Sequence, residues 1–79
     1  MSTIQLNGAT RPLLTGTTLS ALVTEVTGRE LLPTGQPIDG GRLGVAVARN
    51  SGIVPRSQWS RTLLEIHDEI EIVTAVQGG

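Results

Sequence analysis

The chain has 79 residues, of which 38% are apolar and 16% are charged, and its formal net charge is −1. This length allows one domain with a single modest core. The charge balance lacks the basic excess that binding to nucleic-acid phosphates requires, and Trp59 is the only aromatic residue, so nucleic acid is not an expected partner.

The first predicted element is a β-hairpin. Polar and apolar residues alternate over Thr3–Leu6, and Asn7–Gly8 is a preferred two-residue turn. The return strand is predicted over Arg11–Leu14. Because Pro12 cannot donate a backbone hydrogen bond, we expect an edge strand or a strand that starts there.

A helix is predicted next. Thr17 and Thr18 are candidate N-caps, and Gly28 is a candidate C-terminal stop. The i, i+3, i+4, i+7 spacing of one apolar face is met by Leu19, Leu22, Val23 and Val26. A short helix with one such face is expected to lie across a sheet.

A long loop is predicted over Arg29–Arg42. Its prolines and glycines, at positions 33, 35, 37, 40 and 41, leave no room for a longer regular element. We expect a surface excursion whose ends are anchored by Leu31, Leu32 and Ile38. Loops this long in small domains commonly have a function of their own.

The second half of the chain begins with a strand. Small apolar residues at successive positions of Leu43–Arg49 predict a central strand covered on both faces. After a turn at 50–52, Ile53–Val54 forms a short arm. Ser57 is expected to cap one helical turn that folds Trp59 onto the body of the protein.

The last predicted strand follows a turn at His67. One face of this strand is formed by Ile70, Ile72 and Thr74, and the other by Glu69, Glu71, Val73 and Ala75. The elements together predict an α+β protein with a β-grasp (ubiquitin-like) roll, in which one main helix packs across a mixed sheet of four to five strands. We expect a single domain over residues 1–79, with the long loop at 29–42 and a flexible C-terminal tail at 75–79.

The tail ends in Gly78 and Gly79, which have no side chain to bury. Such a segment offers a thin thread with a carboxylate at its end, and a carboxyl group with a pKa of about 3.5 is ionised at neutral pH. This carboxylate can attack a phosphate or bind a nest of backbone N–H groups. A frayed terminus without a function is the simpler alternative.

Several residue types are missing from the chain. It has no cysteine and no lysine, and His67 is its single histidine, so disulfides, thiol catalysis and a metal site are not expected. His67 and Asp68 are adjacent and would face opposite ways in a strand, which argues against a Ser-His-Asp triad. No apolar stretch is long enough to span a membrane, and Met1–Thr3 leads into a strand rather than a signal peptide. We therefore expect no membrane partner and a cytoplasmic location.

Several segments resemble the ThiS family, the sulfur carriers of thiazole biosynthesis. The most specific are Val54–Trp59, which reads Val-Pro-Arg-Ser-Gln-Trp, and Ala75–Gly79, which reads Ala-Val-Gln-Gly-Gly. The same pattern is matched by Ile4–Gly8, Gly16–Leu19, Val45–Val47 and Asp68–Val73. The resemblance omits the loop at 29–42, which is longer than the family's usual link. His67 stands where the family usually has glycine, and histidine tolerates the unusual dihedral angles of a turn.

This resemblance implies a carrier rather than an enzyme, with no catalytic residue and no cofactor of its own. A ThiF-like adenylating enzyme, using ATP and Mg²⁺, would convert the Gly79 carboxylate to an acyl-adenylate. A persulfide sulfur donor would then turn Gly79 into a thiocarboxylate, and a ThiG-like thiazole synthase would accept the sulfur. Partners would recognise the tail through Val76, Gln77 and Gly78.

The outward face of the last strand is the predicted docking surface. Val73 and Ala75 leave apolar surface beside the tail, with Glu71 at its rim. Arg56 is a further candidate contact. The alternatives are that Val73 covers an ordinary sheet face and that Arg56 is a solvated charge.

Two related functions remain open. The small subunit of molybdopterin synthase has the same fold and a Gly-Gly end, but it typically carries a Pro-Pro pair where this chain has Ile72–Val76. A ubiquitin-like protein modifier, joined to lysines of other proteins, uses the same adenylate chemistry. Isopeptide-linked adducts would identify that second alternative.

Overall fold

The computed structural model describes residues 2–74, which form a five-stranded mixed sheet with one α-helix across it. The strands are β1 (Thr3–Leu6), β2 (Ala9–Pro12), β3 (Val45–Arg49), β4 (Gly52–Ile53) and β5 (Glu69–Thr74), and the helices are α1 (Leu19–Thr27) and a 3₁₀ helix (Arg56–Arg61). The strand order is β2-β1-β5-β3-β4. β1 and β5 are parallel and the other neighbours antiparallel, which confirms the predicted β-grasp fold.

The first hairpin closes through a tight turn. Asn7 and Gly8 both have positive φ, at 51° and 83°, which matches the right-handed twist of the flanking strands. Pairing therefore resumes at once, and β2 begins at Ala9 rather than at the predicted Arg11. β2 lies at the edge of the sheet, as Pro12 predicts.

Helix α1 has the predicted caps. The Thr18 hydroxyl accepts a hydrogen bond from the Ala21 N–H at 3.1 Å, and Gly28 adopts the left-handed conformation with φ 73°. The predicted apolar face is buried at Leu19, Leu22 and Val23. The prediction is wrong for Val26, which lies in the last turn of the helix and is 41% exposed.

The core lies on one side of the sheet, where α1 and the 3₁₀ helix contact each other. Trp59 is almost fully buried there, and its indole N–H donates to the Val54 carbonyl at 3.0 Å. β3 lies inside the sheet between β5 and β4, but the prediction that it is covered on both faces is wrong. Val45 and Val47 face the core while Ala46 is exposed, and β5 takes the central place.

The loop over residues 29–42 packs against the 3₁₀ helix. The Ser60 hydroxyl donates to the Pro33 carbonyl at 3.1 Å, and Leu31 pairs with the buried Pro37 across the loop. Leu31 contacts the core as predicted. The prediction is wrong for Leu32 and Ile38, which are half exposed because the Leu31–Pro37 bridge turns them outward.

The 3₁₀ helix begins directly after Pro55. Its first residue is Arg56, and its N-terminus has no side-chain cap. Ser57 therefore lies inside the helix, and the prediction that it caps the turn is wrong. The burial of Trp59 is confirmed.

Candidate functional site

The exposed side of the sheet carries the predicted docking residues. On β5, Ile70 and Ile72 face the core while Glu71 and Val73 face outward, and Val73 is 57% exposed. The strand register places further residues of β1, β3 and β4 on this side. We call this surface the outer face, which comprises Gln5, Ala46, Ala48, Ile53, Glu69, Glu71 and Val73.

The outer face combines apolar and acidic side chains. Val73 is paired with Ala46, and Ala48 lies between Glu71 and Ile53, which is 74% exposed. The ion pairs among residues 2–74 involve other carboxylates, so within this range no cation is paired with Glu69 or Glu71 at this surface. An apolar surface with an acidic rim suits a partner that offers apolar and cationic side chains.

A shallow groove follows β5 on the side of the first hairpin. It is lined by Gln5, Asn7, Gly8 and residues 69–74. Asn7 binds β5 here: its side-chain amide donates to the Ile72 carbonyl at 3.2 Å and accepts from the Ile72 N–H at 2.9 Å. The sequence predicts the turn at Asn7 but gives no signal for a contact between residues 65 positions apart.

Arg56 does not lie with Glu71 and Val73 on the outer face. Its guanidinium donates to the carbonyls of Leu43 at 2.6 Å and Val45 at 3.3 Å, and it lies 5.4 Å from the centre of the Trp59 ring. Because Val45 pairs with Thr74, Arg56 is close to the end of β5. A role for Arg56 in partner docking stays a prediction.

A buried carboxylate, Asp68, makes several hydrogen bonds directly before the start of β5. Asp68 accepts hydrogen bonds from the Glu65 N–H, the Asn50 amide and the Arg49 guanidinium at 2.8, 3.1 and 2.9 Å. Burial alone would raise the pKa of Asp68, but these three donors outweigh it and hold the pKa below its usual value. Asp68 thus fixes the turn at His67, whose φ of 70° agrees with the predicted turn.

The predicted tail residues lie outside the described part of the chain. These are Ala75, Val76, Gln77, Gly78 and Gly79. Thr74, which precedes them, is the last residue of β5 and is exposed. The predicted docking residues Glu71 and Val73 thus lie on the strand that directly precedes the predicted tail in the sequence.

Residues 2–74 also bear on metal binding and on membrane insertion. Within this range, no group of three or more histidines and carboxylates is placed to hold a metal ion. No helix of the described range combines the length and the apolar character that crossing a bilayer requires.

Comparison with known proteins identifies the family. A comparison with curated proteins gives no match. The fold is similar to the crystal structure of a thiamine biosynthesis protein (ThiS) from Geobacter metallireducens, with a TM-score of 0.63 and 16% sequence identity over 98% of this chain and 99% of that chain. The sequence model of the ThiS family matches residues 4–79, nearly the whole length. The chain therefore belongs to the ThiS family.

Proposed function

We propose that this protein is a sulfur carrier of thiamin biosynthesis and that the Gly79 carboxylate carries the sulfur. The observation that carries the proposal is the family match, which runs to residue 79 and so includes the Gly78–Gly79 pair. The β-grasp fold agrees with it. In this role the protein is a co-substrate of other enzymes rather than a catalyst.

The first chemical step is activation. A carboxylate is a poor acyl donor, since its leaving group would be an oxide ion. A ThiF-like enzyme overcomes this by letting a Gly79 oxygen attack the α-phosphate of ATP, with pyrophosphate as the leaving group. Mg²⁺ bound to the nucleotide balances the charge of the phosphates. The product is an acyl-adenylate, in which AMP is a good leaving group.

The second step is sulfur transfer. A persulfide sulfur from a donor protein attacks the acyl carbon, and AMP leaves with the bonding electron pair. A thiol then attacks the donor-protein sulfur of the resulting acyl disulfide, so that the S–S bond breaks, a thiocarboxylate remains on Gly79, and the donor sulfur and the attacking thiol become joined in a new disulfide. A ThiG-like thiazole synthase accepts this sulfur.

Recognition is divided between the body and the tail. The outer face docks on each partner through Val73, with Glu71 at its rim and Ala75 following in sequence. Val76, Gln77 and Gly78 pass into the partner's channel, where glycine allows the backbone a close approach. Arg56 is a further candidate contact at the end of β5.

Intact-mass spectrometry tests the proposal. The protein is incubated with a ThiF-like enzyme, ATP, Mg²⁺ and a persulfide source, in parallel with a variant that lacks Gly79. We expect the full chain to gain the mass difference between sulfur and oxygen and the shortened variant to gain nothing. If the full chain gains no sulfur from an enzyme that thiolates another carrier, the proposal is wrong.

A further inference from the structure

Asparagine side chains hold both ends of β5. At its start, the Asn50 side-chain oxygen accepts from the Glu69 N–H at 2.9 Å, and the Asn50 backbone N–H donates to the Glu69 carbonyl at 2.7 Å. Towards its end, the amide of Asn7 makes two hydrogen bonds to the backbone of Ile72. Asn7 and Asn50 have nearly the same φ, 51° and 50°, and each lies in a hairpin turn.

The Asn7 side-chain amide makes the two hydrogen bonds to β5 that the backbone of one more β1 residue would make. The two strands pair at Gln5–Glu69 and Leu6–Ile70, and the Asn7 N–H donates to the Ile70 carbonyl at 2.9 Å. The chain then turns away at Gly8. Ile72 is the next residue of β5 with its N–H and carbonyl directed towards β1, and the Asn7 side chain supplies the donor and the acceptor that a further strand residue would have supplied.

This contact lies two residues before the end of β5, and the tail follows β5 in the sequence. Only Val73 and Thr74 follow Ile72 in β5, and Ala75 comes next in the sequence. On the other edge, β3 pairs with β5 as far as Val45–Thr74. Without the Asn7 amide, β5 beyond Ile70 would be held within the described sheet by β3 alone.

We propose that Asn7 is a positioning residue for the tail reaction, because it fixes the direction of β5 just before the tail begins. The inference rests on the proposed function, since it concerns how the tail enters an adenylating enzyme. A strand that is already ordered before binding loses less conformational entropy when the partner binds, so the binding free energy is more favourable. Loss of the Asn7 amide should therefore weaken productive binding and leave the rate of the bound complex unchanged.

A matched pair of variants separates positioning from stability. Asn7→Gly and Asn50→Gly each delete one amide and keep a residue that accepts positive φ, but they act at opposite ends of β5. For both proteins we would measure thermal unfolding, amide hydrogen exchange at Ile72, and steady-state kinetics of thiocarboxylate formation with a ThiF-like enzyme, ATP, Mg²⁺ and a persulfide source.

Both variants should unfold at a lower temperature than the wild type, and they should differ in kinetics. We expect Asn7→Gly to speed exchange at Ile72 by about tenfold and to raise KM for the carrier roughly fivefold, with kcat unchanged. Asn50→Gly should leave KM unchanged. Asn7→Asp should fall between wild type and Asn7→Gly, since it keeps the acceptor for the Ile72 N–H but loses the donor.

The outcomes are distinct. The positioning role is overturned if Asn7→Gly has the KM of the wild type, or if Asn50→Gly raises KM equally, which would mark a general effect of lost stability. A wild-type chain that does not react with an enzyme active on another carrier overturns the proposed function itself, and the wild-type measurement alone reveals this.

Discussion

Arg56 packs directly against the backbone of Gly35. A β-carbon at Gly35 would overlap the Cγ of Arg56 and come within 2.7 Å of the Arg56 carbonyl oxygen, and Gly35 has φ 87°, a conformation that favours glycine. The long loop thus packs against Arg56, whose guanidinium donates hydrogen bonds to the carbonyls of Leu43 and Val45. The loop thereby supports Val45, the residue of β3 that lies opposite Thr74 at the end of β5.

The substitution Gly35→Ala should destabilise the fold. It combines backbone strain with a steric clash against main-chain atoms, and we expect a loss of about 3 kcal/mol in the free energy of unfolding. Chemical denaturation followed by the fluorescence of Trp59, the chain's single tryptophan, measures this.

Gly40→Ala is the matched control for Gly35→Ala. Gly40 also has a positive φ, 77°, but a β-carbon there would meet no atom within 4 Å. Backbone strain alone should cost about 1 kcal/mol. Equal losses in the two variants would contradict the steric role assigned to Arg56.

The buried Asp68 should make stability depend on pH in acid. Its folded-state pKa is lowered, because the donors from Glu65, Asn50 and Arg49 outweigh the effect of burial. A lowered pKa means that the carboxylate stabilises the fold at every pH above the unfolded value of about 3.9. That contribution is lost as the pH falls through the folded-state value.

Asp68→Asn should therefore cost about 3 kcal/mol of unfolding free energy at neutral pH, because it leaves the Arg49 guanidinium without its buried partner. The difference in unfolding free energy between wild type and Asp68→Asn should decrease as the pH falls below the usual pKa of aspartate. Urea denaturation at a series of pH values measures this. Asp39→Asn is the control: Asp39 also has a lowered pKa, from the Gly41 N–H and the Arg29 guanidinium, but it is exposed, so its effect should be much smaller. If the difference in unfolding free energy between wild type and Asp68→Asn were the same at all pH values, the charge of Asp68 would not be the source of the stabilisation.

The elements that could be predicted from the sequence depend on local signals. The Asn7–Gly8 turn, the Thr18 cap and the alternation of β5 each involve residues within a few positions of one another. The β-grasp prediction followed from their order and is confirmed by the strand topology.

The error at β3 concerns contacts between distant segments. The small residues of β3 indicated that other elements would cover both faces of this strand. Which face is covered depends on where α1 and the 3₁₀ helix pack, and this is not encoded near β3 in the sequence. The hydrogen bonds from Asn7 to Ile72 and the contact of Gly35 with Arg56 are likewise tertiary. The prediction that Val73 and Glu71 face outward is confirmed. It could be made from the sequence because successive side chains of a strand point to opposite faces of the sheet.

The proposed docking role of the outer face can be tested at Val73. Val73→Ser removes an exposed apolar side chain beside the end of β5 and should change the unfolding free energy by no more than about 1 kcal/mol. If Val73 is buried against the adenylating enzyme, its loss should raise KM for the carrier by about tenfold. Steady-state kinetics of thiocarboxylate formation measures this.

Leu14→Ser is the matched control for Val73→Ser. Leu14 is 75% exposed and follows β2 at the end of the sheet where β1 begins. Because β1 and β5 are parallel, this end lies away from Thr74 at the end of β5. Leu14→Ser should leave KM unchanged. An equal rise in both variants would mean that any exposed apolar residue contributes, whereas no rise in Val73→Ser would place the docking surface elsewhere on the protein.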